Sequence, residues 1–355
     1  MTGNRIFYIC IAFLLLSGIV YVKDYYRKEY LETNVEYKLI QEYLLNDSPL
    51  YGLNRPKLWI HTKYEINARM WQSFQSRNTT DLNQPFIHLT IKTIVDHCSK
   101  DFNICLIDDD TFEKLLPDWD VRLSTIAEPL RHRIRQLGLL KLVYYYGGMV
   151  VPNSFVCRKN LAPLFHNSSQ ELDADRLPVP FVFEQINTSE NRIVDPKHSR
   201  FLPDITMFGS KKNSPAIKTC IEYVSGLTLS NGHVSGEAEF VGMIPLFLQN
   251  LCNDKKVILV DGTKNGVKTN RRQEAVLLDR LMEEEYVDLS DDNYGVYVDD
   301  DALLSRIHYQ WFAVMSKAEI YTCQCALAKY IMSALVDAKD VKTSILQNQR
   351  SVVSI

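Results

Sequence analysis

Three consecutive carboxylates, Asp108, Asp109 and Asp110, close the apolar run "FNICLI" (102–107). Carboxylates at a strand end can hold a divalent cation, because hard cations take oxygen ligands. Asp110 and Glu113 also have the spacing of a helix N-cap and its third residue, where negative charge suits the helix dipole. That spacing favours a cap over a metal. A second acidic run, "DLSDDNYGVYVDDD" (288–301), departs from the calcium-loop pattern, because its glycine and distal Glu are misplaced. Asp299 to Asp301 read as another helix start. The chain has no P-loop and no nucleophile elbow. Its eight cysteines form neither a CxxC pair nor a Cys/His cluster, so they give no zinc site. Cys98 and Cys105 are within reach of a disulfide in an oxidising compartment, or serve as unpaired core thiols. Cys323 and Cys325 are expected inside a helix.

These groups need elements to hold them. "KLWIH" (57–61) and "FNICLI" predict strands. "PFIHLTIKTIVDHC" (85–98) has Pro at a helix start and apolar residues at helical spacing. Further helices are expected from Asp110, over Leu130 to Tyr146, from Pro215 towards Gly226, and over Arg272 to Glu285. The second of these is apolar on most sides and should be buried. Strands are expected at Met149 to Val151, 179–186, 205–210, 256–262 and 294–298. Ser316 and Glu319 form a capping box that opens a C-terminal helix. Alternating strands and helices predict an α/β sheet flanked by helices.

The chain has 355 residues, 46% hydrophobic and 23% charged, with a formal net charge of −3. That composition supports a packed core. The charge balance, with no Lys/Arg-rich block, gives no case for nucleic acid. Ile6 to Val22, "IFYICIAFLLLSGIVYV", carries no charge and has the length of a short membrane span. Ile19-Val20-Tyr21-Val22 lacks small residues for a cleavage site, so an uncleaved, single-pass anchor is expected. Tyr21, Tyr25 and Tyr26 suit the membrane interface. Lys23, Arg27 and Lys28 lean towards a cytoplasmic body, whereas sequons at Asn46, Asn78, Asn167 and Asn187 lean the other way. The expected order is tip and anchor (1–22), polar stem (23–54), α/β body (55–312) and helical tail (313–355).

Three segments carry a family resemblance. Pro56-Lys-Leu-Trp-Ile-His61 resembles the opening strand of glycosyltransferase family 32, the DXD sugar transferases. "ICLIDDDTFEKLLPDW" and "RIRQLGLLKLVYYYGGMVV" are similar to that family's next two conserved stretches, in the right order and spacing over residues 56 to 157. His308 and Trp311 are similar to its closing His and Trp. The whole chain also looks like degenerate members of this group found in large DNA viruses.

The resemblance implies a GT-A fold, a Rossmann-like sheet holding a nucleotide sugar at its strand ends. It also implies a Mn²⁺ ion held by the DXD aspartates. The DXD aspartates fall on Pro152 and Ser154, the nucleotide-contacting Asp on Gln136, and the following Arg on Leu139. Pro152 has no side-chain oxygen, and Asn153 and Ser154 offer only neutral ones. The expected cofactor is therefore none. The implied nucleotide-sugar contacts are Ile60, His61, Gln136, Gly147, Gly148, Asn153 and Ser154.

Three readings follow. The chain is a membrane-anchored, glycosyltransferase-like binding or structural protein without the family's metal chemistry. Or it transfers sugar without metal, using Lys63, Arg133 or Lys159 against the leaving diphosphate. Or it draws metal ligands from Asp108 to Asp110 or from Asp204.

Overall fold

The computed structural model describes residues 55–62, 85–117, 119–126, 130–168, 178–187, 197, 199–229, 237–305 and 307–336. The expected anchor Ile6 to Val22, the expected stem and Lys63 lie outside them. No helix among the described residues is long and apolar enough to cross a membrane.

The strands are β1 (Lys57–His61), β2 (Asn103–Ile107), β3 (Gly148–Val150), β4 (Val156–Cys157), β5 (Phe181–Ile186), β6 (Phe201–Ser210), β7 (Ile258–Val260) and β8 (Gly295–Val296). The helices are α1 (Pro85–Cys98), α2 (Thr111–Leu115), α3 (Leu130–Tyr146), α4 (Ala162–Ser168), α5 (Pro215–Leu229), α6 (Glu237–Asn253), α7 (Leu278–Met282), α8 (Asp300–Ser305), α9 (Gln310–Ala313), α10 (Lys317–Thr322) and α11 (326–336).

Six strands form one sheet in the order β2-β1-β3-β6-β5-β7. All run parallel except β6, which is antiparallel to both its neighbours. β4 and β8 make a separate antiparallel pair. This is the expected mixed α/β architecture. Trp59, Cys105, Ile107 and Val150 belong to one core with Leu140 and Val143 of α3, Ile217 of α5 and Leu248 of α6. Leu58 and Ile60 alternate to the other face and are also sealed from solvent. The sheet is thus covered on both faces, which explains why its strands read as continuous apolar runs.

The turn from α3 into β3 needs two glycines. Gly147 and Gly148 have φ of +68° and +106°. A Cβ on Gly148 would lie 2.2 Å from the Lys57 carbonyl oxygen. The Gly147 carbonyl accepts from Trp59 Nε1 at 3.0 Å. The turn therefore fastens the starts of β1 and β3 together.

Several expectations are corrected. Residues 272–277 are not helical. Thr269 N–H donates to the Glu274 carbonyl, Glu274 N–H donates to Thr269 Oγ1, and Gln273 takes φ of +55°. Local side-chain bonding here favours a turn over the helix that Arg, Gln and Glu would support; only Leu278–Met282 is helical. Cys323 is the extended cap that ends α10, so the two cysteines flank a break between helices. Of the two alternatives for Cys98 and Cys105 the structure shows the unpaired one: both are buried free thiols, and Cys98 lies 3.9 Å, sulfur to sulfur, from Cys157. The capping box at Ser316 is present as expected. After residue 312, Ile320, Leu327, Ile331 and Ala334 are fully buried.

Candidate functional site

In an open α/β sheet, ligands bind outside the carboxyl ends of the parallel strands, where the strand order reverses. Here that point is β1, which has β2 on one side and β3 on the other. His61 ends β1, Asp108 to Asp110 follow β2, and Pro152 to Ser154 follow β3.

The acidic run is already engaged. Arg135, on α3, donates through Nε to Asp109 Oδ1 and through Nη2 to Oδ2, both at 2.7 Å. His61 Nε2 lies 3.0 Å from the same Oδ1, and its ring stacks on Phe112. Burial pushes the Asp109 carboxyl up, but the hydrogen bonds and charges of Arg135 and His61 outweigh it and hold the group well below the carboxylate range. Asp108 Oδ1 accepts from Thr111 N–H at 2.9 Å and from its hydroxyl at 2.6 Å. It is Asp108, not Asp110, that caps α2; Asp110 makes no side-chain cap bond. Among the described residues no group of three His, Cys, Asp or Glu could hold a metal ion.

The residues of the loop after β3 serve the fold. Ser154 is fully buried, and its hydroxyl donates to the Val298 carbonyl at 2.6 Å. The Asn153 carbonyl accepts from Thr90 Oγ1 at 2.5 Å. The loop is thereby tied to α1 on one side and to the segment after β8 on the other. Ile60 is fully buried. Gly147 and Gly148 sit at the start of β3, the opposite end from residues 152–154. The structure therefore groups His61 with Asp109 and Arg135, and places the glycines and Ile60 away from the strand-end crevice.

Gln136 belongs to a second cluster on the same edge of the sheet. A cavity of about 240 Å³ is lined by Gln136 and His132 of α3, Gln185 of β5, Asp204 of β6, Tyr297 and Asp299. Because β6 runs antiparallel, its start shares an edge with the ends of the other strands. Asp204 Oδ1 accepts from Thr206 N–H at 2.6 Å and from the Thr206 hydroxyl. Asp299 caps α8 by accepting from Ala302 N–H at 2.9 Å. Burial pushes the Tyr297 phenol well up, and the charges of Asp299, Asp300, Asp204 and Asp301 add to this. Leu202, Val276 and Leu278 supply apolar wall.

No family model matches this chain, and no curated protein matches it. It is similar to a solved structure titled "PaToxG Glycosyltransferase", with 15% sequence identity over 56% of this chain and 72% of that one, at a TM-score of 0.30.

The other expected participants stand apart. Lys159 Nζ donates to the Asp291 carbonyl at the surface. Arg133 is buried within α3. Trp311 is part-exposed, edge-on to the buried Phe312, and neither it nor His308 lines the cavity. Sequence reasoning missed the Asp109–Arg135 pair. Its residues lie 26 apart, and only the crossover of α3 between β2 and β3 brings them together. Tyr297 and Gln185 were missed because neither stands in a chemical motif.

Proposed function

We propose that this protein is a glycosyltransferase-like, family 32-related protein that binds a sugar group without the family's metal chemistry and acts as a binding or structural component. The observation that carries this reading is the state of Ser154. At the second DXD position its side chain is sealed from solvent and its hydroxyl is committed to Val298. Pro152, at the first position, has no oxygen to offer. These residues do not fit a divalent cation.

The cavity fits a small polar ligand. At about 240 Å³ it is below the ~300–1,000 Å³ of drug-sized sites. Gln136, Gln185 and Tyr297 offer donors and acceptors suited to hydroxyl groups. Asp204 and Asp299 disfavour an unaccompanied diphosphate and favour a neutral ring. A metal-free transferase has less support, since Lys159 is tied to the surface at Asp291 and Arg133 is buried within α3.

The test is calorimetric titration of the body, residues 55 to 355, with hexoses and with UDP-sugars, each with and without Mn²⁺. Hexose binding that ignores Mn²⁺ and weakens on Gln136→Leu is expected. Sugar transfer from a UDP-sugar would contradict the proposal.

The uncharged run Ile6 to Val22 supports a single-pass, membrane-anchored chain. Carbonate extraction should leave the full chain in the membrane pellet, while a version starting at Lys23 is released. Release of the full chain would remove the anchor from the account.

A further inference from the structure

We propose that a groove on the outer side of the 269–275 turn is a second binding site, for the oxyanion of a phosphorylated or sulfated sugar. The groove encloses about 620 Å³, within the ~300–1,000 Å³ typical of ligand sites. Lys197, Arg271, Arg272 and Arg280 line it against two carboxylates, Glu274 and Asp288. Guanidinium groups present forked donors that match the oxygens of a phosphate or sulfate.

The cations are accessible. The Arg271 side chain is 85% exposed, with its Nε 4.0 Å from Asp288 Oδ2. Arg280 Nη1 bonds Glu283 Oε2 at 2.7 Å across an exposed pair. Exposed pairs of this kind are weak, so an incoming oxyanion can compete for both guanidinium groups.

The turn is built rather than loose. Thr269 and Glu274 close it, with Thr269 N–H on the Glu274 carbonyl at 2.9 Å and Glu274 N–H on Thr269 Oγ1 at 2.9 Å. Gln273 Nε2 donates to the Asn270 carbonyl at 2.8 Å. Asn270 N–H donates to the Asp288 carbonyl at 2.8 Å, and Arg271 N–H donates to Asp288 Oδ2 at 3.2 Å. Arg271 and Arg272 are therefore carried on backbone that is already ordered, which lowers the entropic cost of binding.

A sugar fits the rest of the surface. Ala275, Val276 and Val287 make a buried apolar floor, and Tyr286 stands 62% exposed beside it, with Lys329 Nζ 5.6 Å from its ring centroid. Val276 also lines the acidic cavity, so groove and cavity share one wall. The two neighbours differ in sign, and the groove is the one suited to charge. The sugar part of this assignment rests on the reading of the cavity; the oxyanion part does not.

The test uses isomaltotetraose, its sulfated form and its phosphorylated form, titrated against the full chain. Both charged forms should bind more tightly than the neutral one, and binding should weaken as salt rises. The form that binds more tightly names the oxyanion. An Arg271→Glu/Arg272→Glu variant should weaken the charged forms by about tenfold or more, since two charge-assisted contacts are lost. Its thermal midpoint should not move, because both side chains are at the surface. Charged forms that bind no better than the neutral one would overturn the proposal, as would full affinity in the variant. Tighter binding of an oligouridylate of matched charge would overturn the sugar assignment. Failure of the cavity reading is seen separately, as absence of Gln136-sensitive hexose binding.

Discussion

Gly148→Val should leave the protein unable to fold to a soluble form. The residue has φ of +106°, a region closed to β-branched side chains. Its new Cβ would meet the Lys57 carbonyl oxygen at 2.2 Å, and that atom belongs to backbone already paired between β1 and β2. Neither partner can step aside without breaking the sheet. Backbone strain alone costs about 1–3 kcal/mol, and the clash with fixed backbone comes on top. Gly147 differs. Its φ of +68° lies in the left-handed helical region, where Asn is tolerated. Gly147→Asn should therefore be soluble with a modest fall in thermal midpoint. Soluble Gly148→Val with the parent midpoint would contradict the account of this turn.

Asp109→Ala should give the next largest effect. It strands Arg135, whose side chain is only 8% exposed, without its bidentate partner. Removing one member of a buried pair costs roughly 3–5 kcal/mol. Asp109 itself keeps a quarter of its side chain exposed, and solvent screening reduces the figure to about 2–3 kcal/mol. For a folded body of about 300 residues that corresponds to a fall in thermal midpoint of roughly 3–5 °C. The pH dependence has a definite sign. The folded-state pKa of Asp109 is depressed, so its contribution is complete above the unfolded value of about 3.9. It is lost as pH falls from there towards the folded value. Parent and variant should differ at pH 7 and converge as the pH drops below about 4. Equal midpoints at pH 7 would show that the Asp109–Arg135 pair contributes nothing.

The fold was largely legible because its signals are local. Pro85 and the apolar spacing to Cys98 mark α1, and the glycine pair marks the entry to β3. The continuous apolar runs of β1 and β2 are what a sheet covered on both faces demands. The stretch after residue 268 was misread for a physical reason. Thr269, Asn270 and Gln273 bond to nearby backbone, and that competes with the helix that Arg272 to Glu285 would form by propensity. The candidate site was less legible. Gln136 was found through its place in a resembling motif, and it does line the cavity. Asp108 to Asp110 were noticed, but their partners were not, since Arg135 reaches Asp109 only through the topology. By residue type, Ser154 offers a metal only a neutral oxygen. That its hydroxyl ties the loop to Val298 depends on a contact 144 residues away in sequence, which no local pattern records.

The loop after β3 either binds metal or only ties the fold together. The direct measurement is titration of Mn²⁺ into the body, residues 55 to 355, followed by the loss of the free-ion electron paramagnetic resonance signal, alone and with UDP-glucose present. The predicted result is no saturable Mn²⁺ binding in the micromolar range and no gain in UDP-glucose affinity from the ion. Stoichiometric micromolar binding that tightens UDP-glucose would contradict it, whether that binding is lost on Ser154→Ala or on Asp204→Asn or Asp110→Asn.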